Sequence, residues 1–149
     1  MTNGPVNITG GRTPWHLWVV GLLSLLFNSY GGFDYLMTQT ENAGYLANFT
    51  AEQRAYFTGF PLWMDVVWAV GVWGAVLGSL LLLLKRRWAF PVFAVSLAAF
   101  LISLVYSYAL SDGSRIMGSM GTIMNVVITL VAIGEVLYAR AMTRRGVLR

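Results

Sequence analysis

The chain has no cysteine, one histidine, four prolines and few charges: Asp, Glu, Lys and Arg make up 11% of its 149 residues. Without cysteine it offers neither a disulfide framework nor a thiolate site. The lone His16 cannot supply both axial ligands of a bis-histidine haem within one chain. An ordinary soluble domain carries about 25% charged residues, so the shortage of charge argues against water as the only solvent. Nucleophile, base and orienter do not occur as a set, and no phosphate loop or metal-ligand cluster is spelled out. The reading is a non-enzyme with no cofactor and no metal.

What is abundant is apolar residue, 57% of the total, gathered into runs at about 15–37, 61–84, 88–110 and 117–140. Each is long enough to cross ~30 Å of hydrocarbon as a helix. Lipid leaves no partner for open backbone groups, and the alternating ten-residue segments of a barrel are missing. The expected fold class is therefore all-α: a polytopic membrane protein with four transmembrane helices.

The cations set a direction. Arg12, Lys85, Arg86, Arg87, Arg140, Arg144, Arg145 and Arg149 fall on one side of the runs, against Arg54 and Arg115 on the other. The positive-inside rule then predicts both termini in the cytoplasm. The net charge of +4 is topological and gives no case for nucleic acid. The first run has a thin basic flank and no small-x-small cleavage pattern, so it is read as a retained span.

The expected organisation is a flexible cytoplasmic tail at 1–12, rich in Gly, Asn and Thr, a transmembrane domain at 13–141 and a basic tail at 142–149. Thr13 and Pro14 read as the start of the first helix, Pro61 as the start of the second, and Pro91 lies in the first turn of the third. Thr50-Ala51-Glu52-Gln53 has the spacing of a capping box and predicts a short external interfacial helix.

Five small residues of the second run, Gly71, Gly74, Ala75, Gly78 and Ser79, recur at helical spacing. They predict a helix-packing seam against a partner within this chain or in another one. Asn28, Asp34, Tyr35 and Asp65 are the candidates for a solute-binding mouth, with Asp34 and Asp65 also expected to pair with Arg54 or Arg115. Glu135 is expected to reach the cytoplasmic interface or one of Lys85, Arg86 and Arg87. Met117, Met120 and Met124 form a stripe read as packing.

The segments TPWHLWVVG at 13–21, FDYLMTQT at 33–40, FTAEQRAYF at 49–57 and GVWGAVLGS at 71–79 resemble a family of small bacterial four-helix inner-membrane proteins loosely labelled "sugar transporter". The likeness spans roughly residues 13–110. It implies a multi-pass protein of the bacterial cytoplasmic membrane and brings no residue assignment with it. The function expected is a non-catalytic accessory subunit of a membrane assembly, its partners the lipid bilayer and other membrane subunits or its own copies. The alternative is an oligomeric carrier for a sugar-like solute.

Overall fold

A computed structural model describes residues 12–149. Most of the anticipated tail at 1–12 lies outside the described residues. Among them the elements are α1 (Trp15–Gln39), α2 (Ala43–Leu46), α3 (Ala51–Thr58), α4 (Leu62–Leu83), α5 (Ala89–Val105) with a π-helical turn (Tyr106–Leu110), and α6 (Gly113–Arg144). The fold is all-helical. Three stretches, Leu62–Leu83, Ala89–Leu110 and Gly113–Arg144, are long and apolar enough to cross a membrane. Helix α1 is long enough as well, but His16, Asn28 and Asp34 dilute its apolar content.

Local chemistry accounts for the helix limits. Pro14 and Pro61 stand at the N-cap positions of α1 and α4, one residue outside the helix, with φ of −67° and −65° already set by the ring. Thr50 caps α3: its hydroxyl accepts from the Gln53 amide at 3.2 Å while the Gln53 side chain accepts from the Thr50 amide at 3.1 Å. Three C-termini close alike. Glu41, Lys85 and Gly146 adopt positive φ after α1, α4 and α6, and paired backbone bonds reach back to Thr38 and Met37, to Leu82 and Leu81, and to Thr143 and Met142.

Helices α1, α4, α5 and α6 lie side by side in that order. Their shared core sits at one end, where Leu17, Leu82, Ala89, Phe93, Ala139, Met142 and Leu148 are buried together. Because Lys85, Arg86, Arg87, Arg144, Arg145 and Arg149 gather there, it is called the basic end; the opposite, capped end carries α2 and α3. Helix α6 continues to Arg144, and the chain then folds back so that Leu148 enters the core. The Arg149 amide bonds to the Lys85 carbonyl at 2.8 Å and the Arg87 amide to the Arg149 carbonyl at 3.1 Å. The segment anticipated as a tail thus closes the base of the bundle.

The small-residue seam lies between α4 and α5. A Cβ on Gly78 would fall 2.7 Å from the Phe93 ring, and one on Gly74 3.1 Å from the Ser96 Cβ, so glycine is what lets α5 come this close. The Ser96 hydroxyl donates to the Gly71 carbonyl across the same seam at 2.5 Å. Ala75 and Ser79 turn toward α1. The seam is consumed within the chain.

Candidate functional site

The buried face of α1 runs through Leu17, Gly21, Ser24, Asn28 and Gly32, spaced three or four residues apart as one helical stripe. Its polar members meet Ser79 of α4 and Glu135 of α6. The Asn28 amide nitrogen donates to the Glu135 carboxyl at 2.8 Å, to the Ser79 hydroxyl at 2.9 Å and more weakly to the Ala75 carbonyl at 3.3 Å. Ser79 donates in turn to the Ala75 carbonyl at 2.8 Å, and the buried Ser24 lies one turn from Asn28 on the same stripe. Glu135 is 5% exposed, so the expectation that it reaches the interface or the Lys85 loop does not hold. Its position on α6 points it at α1, where neutral dipoles replace water.

Toward the basic end, His16 Nδ1 and the Tyr138 hydroxyl lie 2.5 Å apart, a second bridge between α1 and α6. Tyr138 follows Glu135 by three residues, on the same side of the helix. Beyond it, Thr13, Leu84, Lys85, Arg86, Val147 and Arg149 line a recess of about 310 Å³.

The capped end holds the other predicted acids, separately. Asp34 accepts a short hydrogen bond from the Tyr45 hydroxyl of α2, and Asp65 accepts from the Gln39 amide at 2.9 Å. Neither pairs with Arg54 or Arg115. Arg115 takes Glu52 of α3 at 2.9 Å and Asp112 at 3.8 Å, because α3 folds across the start of α6. Burial raises the Tyr45 phenol, and Asp34 adds to the rise through its hydrogen bond and its charge, so Tyr45 stays the donor. Tyr35 packs edge-on to Trp68 and Trp73, and the rings of Phe57, Phe60, Trp63, Trp68 and Tyr106 continue the aromatic wall.

The third feature opens sideways. Leu104, Tyr108, Thr122, Asn125, Val126, Thr129 and Leu130 line a recess of about 340 Å³ between α5 and α6. The π-turn carries Tyr106 into the aromatic wall and Tyr108 toward α6, where its hydroxyl meets Thr122 at 3.2 Å and the Asn125 amide at 3.4 Å. Between Gly113 and Glu135 no residue of α6 is buried. Gly118 interrupts this stretch at φ 64°, ψ −159°, a backbone state restricted essentially to glycine. Met120 and Met124 face outward at 68% and 42% exposure, so their stripe does not pack inside the chain as anticipated.

Of the four residues proposed for a solute mouth, Asp34, Tyr35 and Asp65 lie at the capped end, each with its own partner. Asn28 lies deep among α1, α4 and α6. Sequence reading missed Ser24 and the link between Asn28 and Glu135. The available signal was that Asn28 continues the stripe of Leu17, Gly21 and Ser24, the only polar side of an otherwise apolar helix segment. Searches of protein-family models, curated proteins and solved structures gave no match for the chain.

Proposed function

We propose that this chain is a non-catalytic subunit of a membrane assembly that receives a transmembrane helix of another polypeptide in the recess between α5 and α6. The observation that carries the reading is the exposed polar group formed by Tyr108, Thr122 and Asn125 on helices apolar enough to lie in lipid. Hydrocarbon offers those groups nothing, whereas a neighbouring helix supplies both packing and hydrogen bonds; such bonds contribute about 0.6 kcal/mol each, up to roughly 2. No residue of α6 between Gly113 and Glu135 is buried, so the helix leaves this face open along that stretch.

In this reading α1 is a fourth span, both termini lie in the cytoplasm, α3 rests at the outer interface, and the membrane is the bacterial inner membrane. The cation placement and the family resemblance support that arrangement. A photoreactive residue at Val126 or Leu130 tests the subunit role in membranes of expressing cells. The expected product is a cross-link to a polypeptide, with twice the chain mass indicating a second copy. Adducts to lipid alone, matching those at the exposed Leu22 of α1, would remove the basis for a docking face.

The carrier reading rests on a different observation, the aromatic wall around Tyr35 and Trp68, since flat rings suit the apolar faces of sugars. It predicts sugar flux in proteoliposomes that falls with Trp68→Ala. Absence of flux across a panel of sugars dismisses it.

A further inference from the structure

We propose that Glu135 is a proton-binding site built into the bundle, a carboxyl that takes up and releases one proton at the point where α6 joins α1 and α4. Three observations carry this. Glu135 is the first buried residue of α6 after Gly113, and it is a point where that helix hydrogen-bonds to α1. The hydrogen-bond partner of Glu135 is neutral: Asn28 from α1 and, through Asn28, Ser79 from α4. Among the described residues the only ion pairs are those of Arg115, at the capped end.

The hydrogen count is the second observation. The Asn28 amide has two hydrogens for three oxygens, on Glu135, Ser79 and Ala75, and the Ser79 hydroxyl hydrogen is already given to Ala75. Every donor of the cluster is thus committed, and no cation stands among them to hold the Glu135 charge. A proton that adds to a lone pair of the Glu135 carboxylate forms one O–H bond, displaces nothing and cancels the charge. An ionised carboxylate keeps the N–H of Asn28 as its compensation.

The third is access. His16 and Tyr138 are hydrogen-bonded one turn from Glu135 toward the basic end, and an imidazole and a phenol are groups that accept and pass on protons. The other titratable groups on the packed elements are remote or already engaged. Helix α5 has none, α4 has Asp65 at its far end bonded to Gln39, and α1 has Asp34 bonded to Tyr45 besides Tyr30 and Tyr35. On α6 itself Arg140 and Arg144 follow Tyr138 at the basic end.

A hydrophobic carbodiimide, which couples to protonated carboxyls, tests the proposal on the full chain in detergent micelles, with the Glu135 adduct read by mass spectrometry. The expected labelling rate falls about tenfold per pH unit above its midpoint, as for a single proton. E135Q gives no adduct at this site. Asn28→Leu, or Asn28→Ala should the first fail to fold, moves the midpoint upward because the carboxylate loses a donor. A rate flat in pH, no adduct at any pH in the folded protein, or protection by sodium at constant pH would overturn the proposal, the last by making this a metal-cation site.

Discussion

At the residue scale, this chain concentrates its specificity in a few polar side chains that lipid makes expensive to leave alone. Asn28 serves three acceptors on two other helices, so Asn28→Ala removes bonds that water cannot replace. We expect a loss of about 1–2 kcal/mol, read as a lower unfolding midpoint in detergent, with Ser79→Ala costing less. Gly78→Leu places side-chain atoms into the Phe93 ring and should cost roughly 1–3 kcal/mol. Combining it with Phe93→Ala should restore part of that loss; no recovery would show that the seam is not governed by this contact. Tyr45 has its own pH signature. With the phenol raised above its ordinary 10.0, the stability from its bond to Asp34 is complete below that pH and is lost only as pH climbs beyond it. Tyr45→Phe should abolish that alkaline loosening, followed by proteolysis in the loop around α2.

At the element scale, the helix ends are where local chemistry and sequence agree most closely. The Thr50 to Gln53 capping box is present as spelled, while the prolines of α1 and α4 stand one residue earlier than anticipated because their carbonyls take the first helical bonds. The C-terminal turns hold an unevenness that can be measured. Gly146 accepts its positive φ freely, but Glu41 and Lys85 hold the same geometry with a Cβ in the way. Lys85→Gly and Glu41→Gly should each stabilise by up to about 1 kcal/mol, and Gly146→Val should destabilise by a similar amount or more. Thermal midpoints moving in the opposite direction would show that these turns relax elsewhere. The π-turn is a different matter: nothing in the spelling of Tyr106, Ser107 and Tyr108 announces it. It arises where the Tyr56 hydroxyl approaches Ser107 at 3.4 Å and Ser111 at 3.0 Å, a contact made by a distant helix.

At the scale of the whole molecule, the bundle is tight at its basic end and loose along α6 toward the capped end. Leu148 is 3% exposed within the tight end, so Leu148→Ser should cost about 2–4 kcal/mol and release the C-terminal segment from the α4–α5 turn. Hydrogen exchange at the Arg149 amide, now bonded to Lys85, reports that release. The absence of native cysteine makes the threading equally direct to test. Thr13→Cys and Thr143→Cys should react with an impermeant maleimide only after lysis, and Thr58→Cys and Ser114→Cys in intact cells. Reaction of Thr13→Cys from outside would take α1 out of the set of spans. Hydropathy, cation placement and capping spacing are properties of the chain in one dimension, because each reports how a segment meets its solvent or its own backbone. They determined by themselves that the fold is helical, that long apolar helices suited to lipid make it up, and where α1, α4 and α5 begin, whereas α6 starts at Gly113, four residues before the apolar run expected from about 117. Which side chains meet was decided only by tertiary structure. The rotation and approach of α1, α4, α5 and α6 turned the glycine seam inward, joined Asn28 to Glu135, and left Asp34 and Asp65 with Tyr45 and Gln39 instead of arginines. Those rotations follow from how whole helix surfaces interlock, a three-dimensional sum that no local spacing contains.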